Sequence, residues 1–221
     1  CGCCPMPRAA GKREQNKQAN REAILGAARA CFIDAGYDAI TIRDIIRKGT
    51  LAAGTFYNYF PDKESVFRAL VESRLGPVQD RVHATRLNAQ SIESFFYQAY
   101  LAIFEEVRAD PEFFALMFRN ESVMRVFYQD NIFGLIMRSL KDDIRAAITR
   151  GVFPEVDVDV LTAISYGAGY ELSRLLTEQP RHDPVEAARF VTRLFLDGIS
   201  NLPDHTRMIR IGPRMLDGAA R

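Results

Sequence analysis

Residues 54–65 read GTFYNYFPDKES. Phe56 and Phe60 lie four apart, so on a helix they share one face while Tyr57 and Asn58 point away from it. Thr55, Tyr57, Asn58 and Tyr59 offer hydroxyls, an amide and flat rings with no carboxylate among them, and Ala53 and Gly54 beside them are small enough for close approach. Short or hydrogen-bonding side chains of this kind reach base edges and phosphates. Lys63, near the start of the next helix, adds a cation where the helix dipole already favours phosphate. The segment reads as a surface for gripping a polyanion.

The elements that hold this surface are helical. From Asn20 onward Ile24, Ala28, Cys31, Phe32 and Ala35 recur at three- and four-residue steps, and Gly36 stops that helix. Thr41 is the expected cap of a second, short helix, with Asp44 in a capping-box position and Ile42, Ile45 and Ile46 as its buried stripe. The quoted segment forms a third helix, and Pro61 opens a fourth at its first turn. Two short helices joined by a tight turn and braced by a preceding helix make a helix-turn-helix, whose second helix enters the DNA major groove. A plain three-helix bundle has the same periodicity; the residue types of the third helix favour the groove-binding reading.

Charge is distributed to match. Residues 1–60 contain nine Lys/Arg and five Asp/Glu, leaving +4 there and −3 on the remainder of a chain whose net charge is +1. A basic end on a near-neutral protein marks an anionic partner. Among the four cysteines, Cys1, Cys3 and Cys4 crowd the first residues and Cys31 lies in a helical pattern, so neither a disulfide framework nor a zinc site is expected. Met6-Pro7-Arg8 reads as a more natural start than Cys1. Without a run of 18 apolar residues or an apolar signal core, the expectation is a cytoplasmic protein with no membrane partner.

Beyond residue 80 the pattern stays helical: 91–109, a short helix opened by Asp110-Pro111-Glu112, a long one from Ser122 to Arg150 broken by Gly151 and Pro154, then 157–178, and a last helix begun by Asp183-Pro184-Val185-Glu186 and running to about Leu202. The expected fold is all-α. Its parts are a mobile basic arm over 1–15, a helix-turn-helix domain over 16–66, a larger helical domain over 67–203 and a loose tail over 204–221.

Residues 20–70 resemble the DNA-binding domain of TetR-family transcriptional regulators. The matching stretches are FIDAGYDAITIRDI and GTFYNYFPDKESVFRAL, with Gly-Thr-apolar-Tyr-x-x-Phe followed by a Lys three residues after the Phe. The resemblance implies that Thr41 and Arg43 contact phosphate or a base edge, that Thr55, Tyr57 and Tyr59 meet phosphates and the groove wall, that Asn58 is the base reader, and that Lys63 holds phosphate. Phe56, Phe60 and Leu51 would be core. Many members have Gly-Val-Ser where this chain has Thr50-Leu51-Ala52, which makes Thr50 the candidate cap of the third helix. The implied partners are double-stranded DNA carrying a pseudo-palindromic operator, a second copy of the chain, and a small hydrophobic effector held in the larger, C-terminal ligand-binding and dimerisation domain.

That domain concentrates eleven of the 23 aromatic residues within 95–133. Two readings stand: ordinary core, or the wall of an apolar cavity. The cavity reading draws on Phe96, Tyr100 and Phe104 from one helix, on Phe114, Met117 and Phe118 from the next, and on Met124, Phe127, Tyr128 and Met137. Arg119, Asn120, Glu121 and Arg125 are its candidate head-group partners. Leu161, Ile164, Ala168, Leu172 and Leu175 recur at nearly heptad spacing, answered by Val191, Phe195 and Leu202 on the last helix, as a four-helix dimer interface requires. Ala163-Ile164-Ser165-Tyr166-Gly167 mimics a nucleophile elbow, but no strand precedes the Ser. His83, His182 and His205 have no metal-spaced partners, and neither enzymatic activity nor a cofactor is expected. A helical carrier of apolar ligands without DNA binding is the alternative; it would have no use for residues 41–63.

Overall fold

The computed structural model describes residues 11–127 and 132–197, with the side chains of all but 125–127 and 132–135. The described residues form helices and turns only. They divide into two compact units, one ending at Ser73 and the other beginning at Arg74.

The first unit contains α1 (Lys12–Ala35), α2 (Ile42–Lys48), α3 (Ala53–Tyr57) and the first part of α4 (Lys63–Leu87). Helix α1 starts well before the apolar periodicity does, so residues 12–15 are helical rather than part of an arm; residues 1–10 lie outside the described residues. Its opening turns, KREQNKQANREA, are fully or largely exposed and consist mainly of strong helix formers. Gln18 donates to Glu22 at 2.7 Å one turn on. Gly36 ends the helix at φ +82° with its N–H on the Phe32 carbonyl. Phe32 packs edge-on against Phe67 of α4 with centroids 5.1 Å apart, and Tyr37 lies 4.9 Å from the same ring. Ile24, Ala28, Phe32, Ile45, Phe56, Val66 and Phe67 have no exposed surface.

Helix α2 is capped as its sequence requires: the Thr41 side chain accepts from the Asp44 N–H, and the Asp44 carboxylate accepts from the Thr41 N–H at 3.0 Å. The turn after it differs from the expected register. Gly49 is right-handed at φ −81°, while Thr50 carries the positive φ of +50°. Thr50 therefore spans the turn instead of capping α3, whose N-cap is Ala52 with no side-chain hydrogen bond. Glycine occupies position 49 for space: a Cβ there would lie 3.2 Å from the Ala27 Cβ and 3.3 Å from the Ile45 carbonyl oxygen. Pro61 precedes the cap of α4, which is Asp62; its Oδ1 accepts from the Ser65 N–H at 2.7 Å.

Helix α4 continues through the division between the units, which falls seven residues beyond the expected boundary of 66. It contains Pro77, which has no N–H to offer the Ser73 carbonyl four residues back. The second unit holds the rest of α4 with α5 (Ile92–Ala109), α6 (Pro111–Arg119), α7 (Glu121–Phe127), α8 (Ile132–Thr149), α9 (Val158–Glu178) and α10 (Pro184–Asp197). The single helix expected from Ser122 to Arg150 is thus recorded as α7 and α8; residues 128–131 lie outside the described residues, as does the expected tail. Ser91, Asp110 and Asp157 cap α5, α6 and α9 through their side chains. Asp183 accepts from the N–H groups of Val185 and Glu186 to start α10.

Helix α10 packs chiefly on α5, while α9 packs against α8, α5 and α6. Val191 is 2% exposed, and Phe195 stacks on Phe96 at 4.8 Å and on Tyr100 at 6.3 Å. Both were expected at a dimer interface. Val191 is instead buried in its own unit, while Phe195 stacks on α5 and stays half-buried.

A threonine held in the left-handed region costs about 1–2 kcal/mol relative to glycine. Thr50→Gly is therefore expected to raise stability by about 1 kcal/mol, and Gly49→Ala, which forces the turn off α1, to lower it by about 1–3 kcal/mol. Urea unfolding followed by helical circular dichroism reads both; a lower midpoint for Thr50→Gly would count against strain at this turn.

Candidate nucleic-acid interface and apolar cavity

Helix α3 buries Phe56 and seats Phe60 just beyond its end, at 0% and 5% exposure. The remaining residues of the segment form the outside. Ala53, Gly54, Tyr57 and Asn58 are exposed, with Thr55 and Tyr59 half-buried at the edges. Tyr57 sits edge-on against Phe56, 5.5 Å between centroids, and still leaves 55% of its surface to solvent. Asn58 is the C-cap of α3, in right-handed conformation, with its backbone N–H donating to the Gly54 carbonyl. No acidic residue occurs between Asp44 and Asp62.

Thr41 and Arg43 stand exposed at the entry of α2. The Thr41 hydroxyl donates to the Asp44 carboxylate at 2.6 Å, and Arg47 reaches the other carboxylate oxygen at 2.7 Å. Hydrogen bonds from Thr41, aided by Arg47, hold the Asp44 carboxyl below its ordinary range. The capping box is therefore intact above that range and is lost only as pH falls through the lowered value. Lys63 is half-buried; its ammonium donates to the Tyr37 carbonyl at 2.8 Å and sits 4.2 Å from the centre of the Tyr37 ring. It ties α4 to the end of α1, and one of its three N–H donors is committed there. Burial, with nearby carboxylates, pushes the Tyr37 phenol up to about 12.

The second unit contains a partly open cavity of about 130 Å³. Tyr100 lines it from α5, Phe114, Met117 and Phe118 line it from α6, and Ile136, Ser139 and Leu140 line it from α8. The expected residues Phe96, Phe104 and Met124 are packed core instead, at 4%, 0% and 0% exposure, and Met137 does not reach the cavity. The Phe127 side chain, Tyr128 and Leu202 lie outside the described residues.

Two walls escaped sequence reasoning. One is α4, with Leu75, Val78, Gln79, Val82 and Arg86; the other is α9, with Ser165, Tyr166, Gly169, Tyr170 and Ser173. Serine and glycine in a helix carry no hydrophobic signal. Gly169 admits the Tyr100 ring, which would lie 3.2 Å from a Cβ at that position. The expected head-group residues do not serve: Arg119 is exposed, the Asn120 amide donates to the Leu116 carbonyl at 2.7 Å, neither Asn120 nor Glu121 lines the cavity, and the Arg125 side chain lies outside the described residues.

The polar groups of the cavity are unevenly placed. Tyr100 donates its hydroxyl to the Ser165 carbonyl at 2.8 Å, and burial raises the phenol above its ordinary range. Arg86 is 8% exposed; behind it Asp143, 1% exposed, lies 3.5 Å from Nη1 and is also held by His83 Nδ1 at 2.6 Å. Burial lowers the Arg86 pKa and raises that of Asp143, each opposed by the other's charge.

Helix α9 leaves an apolar face uncovered on its other side. Val160 and Ile164 are each 53% exposed, and Leu161, Ala168, Leu172 and Leu175 are half-buried. Among the described residues no helix is long and apolar enough to cross a membrane, and no group of three metal-ligating side chains occurs.

Removing one member of a buried ion pair leaves the other uncompensated. Arg86→Met is expected to destabilise the protein by about 3–5 kcal/mol, and the double variant Arg86→Met/Asp143→Asn to recover most of that loss. Equal midpoints for the two variants in urea unfolding would mean that the pair contributes through packing alone.

The family model described as bacterial regulatory proteins of the tetR family matches residues 24–70, the stretch that carries α2, α3 and the start of α4. The HTH-type transcriptional repressor AcnR of Corynebacterium glutamicum is 30% identical over 126 residues, 54% of this chain and 65% of that protein. AcnR of Corynebacterium efficiens is 29% identical over 112 residues, 48% and 60% of the two chains, so less than two thirds of each relative's length is spanned. Among solved structures, the fatty acid degradation regulator FadR from Bacillus halodurans superposes with a TM-score of 0.69 at 20% identity, covering 81% of this chain and 96% of that one. The regulator FadR from Bacillus subtilis, in complex with stearoyl-CoA, superposes with a TM-score of 0.65 at 19% identity, covering 80% and 98%. These superpositions extend the likeness from the helix-turn-helix to the larger helical unit. Motif, family model and relatives agree that residues 24–70 are a DNA-binding domain of the tetR family, and the superpositions show that the larger helical unit shares the fold of such regulators.

Proposed function

We propose that the protein is a ligand-responsive transcriptional repressor that binds a pseudo-palindromic operator as a homodimer and leaves it when a small hydrophobic effector fills the cavity. The observation that carries this reading is the exposed, acid-free surface of α3 and the residue after it, held by a buried Phe56 and Phe60. Asn58 is assigned to an adenine edge, which a side-chain amide reads with two hydrogen bonds. Thr55, Tyr57 and Tyr59 take phosphates and the groove wall, Thr41 and Arg43 meet the duplex at the entry of α2, and Lys63 offers its remaining donors to phosphate.

The uncovered face of α9 supports a second copy as the partner, since a contiguous row at Val160, Ile164 and Ala168 is what a helical interface buries. Two α3 helices then meet half-sites about 34–36 Å apart, or a multiple of that. An effector favours release only through tighter binding to the arrangement that misses this spacing; shifting occupancy from 99:1 to 1:99 needs about 5.5 kcal/mol of such preference. The aromatic and aliphatic cavity wall supports an effector with an apolar body.

Selection of duplexes from a random pool tests the reading, and failure to enrich any sequence would overturn it. With the selected duplex in hand, Asn58→Ala is expected to relax preference at one base position per half-site, a loss of about 1–3 kcal/mol there, measured by fluorescence anisotropy over single-base variants. Ile164→Glu, at a side chain already half in solvent, is expected to leave the fold intact, convert the dimer to a monomer in sedimentation velocity and weaken duplex binding at least about tenfold.

A further inference from the structure

The cavity wall contains two buried polar groups that nothing among the described residues satisfies. Arg86 Nε and Ser165 Oγ, like Asp143 Oδ2 behind the guanidinium, have no hydrogen-bond partner among the described residues, and the residues Arg86 and Ser165 are only 8% and 4% exposed. Buried polar atoms are almost always paired, and an orphan costs about as much as a lost hydrogen bond. For Ser165 the omission is local: the hydroxyls of Thr162, Thr177 and Thr192 all donate to the carbonyl four residues back, and that of Ser165 does not. Both groups belong to the cavity lining. They also flank one side chain, since Tyr100 donates to the Ser165 carbonyl and feels the charge of Arg86.

Charge points the same way. Asp143, the countercharge of Arg86, is not part of the lining; it sits behind the guanidinium at 3.5 Å and shares its carboxylate with His83. A molecule in the cavity therefore faces the cation and not its partner. The rest of the wall is aromatic or aliphatic apart from Gln79 and the serines. A volume of about 130 Å³ holds an apolar body on the order of one benzene ring.

We infer that the cavity takes a small monocarboxylic acid, its apolar body against Phe114, Phe118 and Tyr170 and its carboxylate accepting hydrogen bonds from Arg86 Nε and Ser165 Oγ. The inference rests on the reading of this cavity as the effector site and adds the chemistry of the effector's head.

The test is calorimetric titration of the purified full chain, without DNA, using benzoate, phenylacetate and hexanoate beside their primary amides, which keep the shape and lose the charge. At least one acid is expected to bind about tenfold or more tightly than its amide. Ser165→Ala, a change too small to disturb the helix, is expected to weaken that acid roughly tenfold and its amide less. Arg86→Met/Asp143→Asn, which removes the charged pair together, is expected to abolish the preference for the acid. Acids and amides of equal affinity, no binding by any acid, or an unchanged preference in both variants would each overturn the inference. Acid binding that leaves a selected duplex bound would remove the repressor reading and keep the head-group assignment; duplex binding without acid preference would do the reverse.

Discussion

Helix α9 has to satisfy two opposed surroundings, and most of the second unit is arranged around that demand. Its buried residues are Thr162, Ser165, Gly169 and Ser173 with one leucine, Leu176, near the end, whereas Val160, Ile164, Leu161 and Leu172 are exposed or half-buried. A helix in a single folded chain normally does the opposite. The inversion is tolerable because Thr162 returns its hydroxyl to its own helix and because small side chains let the Tyr100 ring and the α6 aromatics come close. What remains between them is the cavity. A conventional apolar inner face on α9 would fill it.

On the function proposed above, the same helix links effector and partner: its inner face is cavity wall and its outer face the candidate seam with a second copy, so a ligand that shifts α9 would act on both at once. The buried polar set behind Tyr100 fits this role. An arginine and an aspartate in an apolar unit are poor devices for stability compared with hydrophobic side chains of equal size. Their retention makes physical sense where the guanidinium has a further partner to meet.

In the first unit the governing constraint is closeness between α1 and the turn after α2. Gly49 permits it, and Thr50 absorbs the resulting left-handed conformation. The short α3 is then held by Phe56 alone within its length, with Phe60 beyond it, so nearly every other side chain of the segment is free to face outward. Lys63 reinforces the frame by bonding the Tyr37 carbonyl, which makes it a tie between helices before it is anything else.

Much of this was legible in the residues themselves. Capping side chains at Thr41, Ser91, Asp110, Asp157 and Asp183 mark helix starts locally, and Phe56 and Phe60 share a face by spacing alone, so the helix order and the exposed character of Tyr57 and Asn58 follow without knowledge of the fold. The early start of α1 was hidden because its first turns are polar and periodicity needs apolar residues to register. The cavity wall could not be read in the same way. Aromatic side chains identify themselves as buried, but whether Phe96 fills space or borders it depends on α10 and Phe153 arriving from distant parts of the chain. Val191 and Phe195 had the pattern of a seam and were claimed by α5. The sequence by itself determined the helices, their caps and the chemistry offered by α3, since these are set by neighbours within a turn or two. Only the tertiary structure decided which faces meet, and so left Arg86 Nε and Ser165 Oγ, on residues 79 positions apart in the chain, at one cavity without hydrogen-bond partners among the described residues.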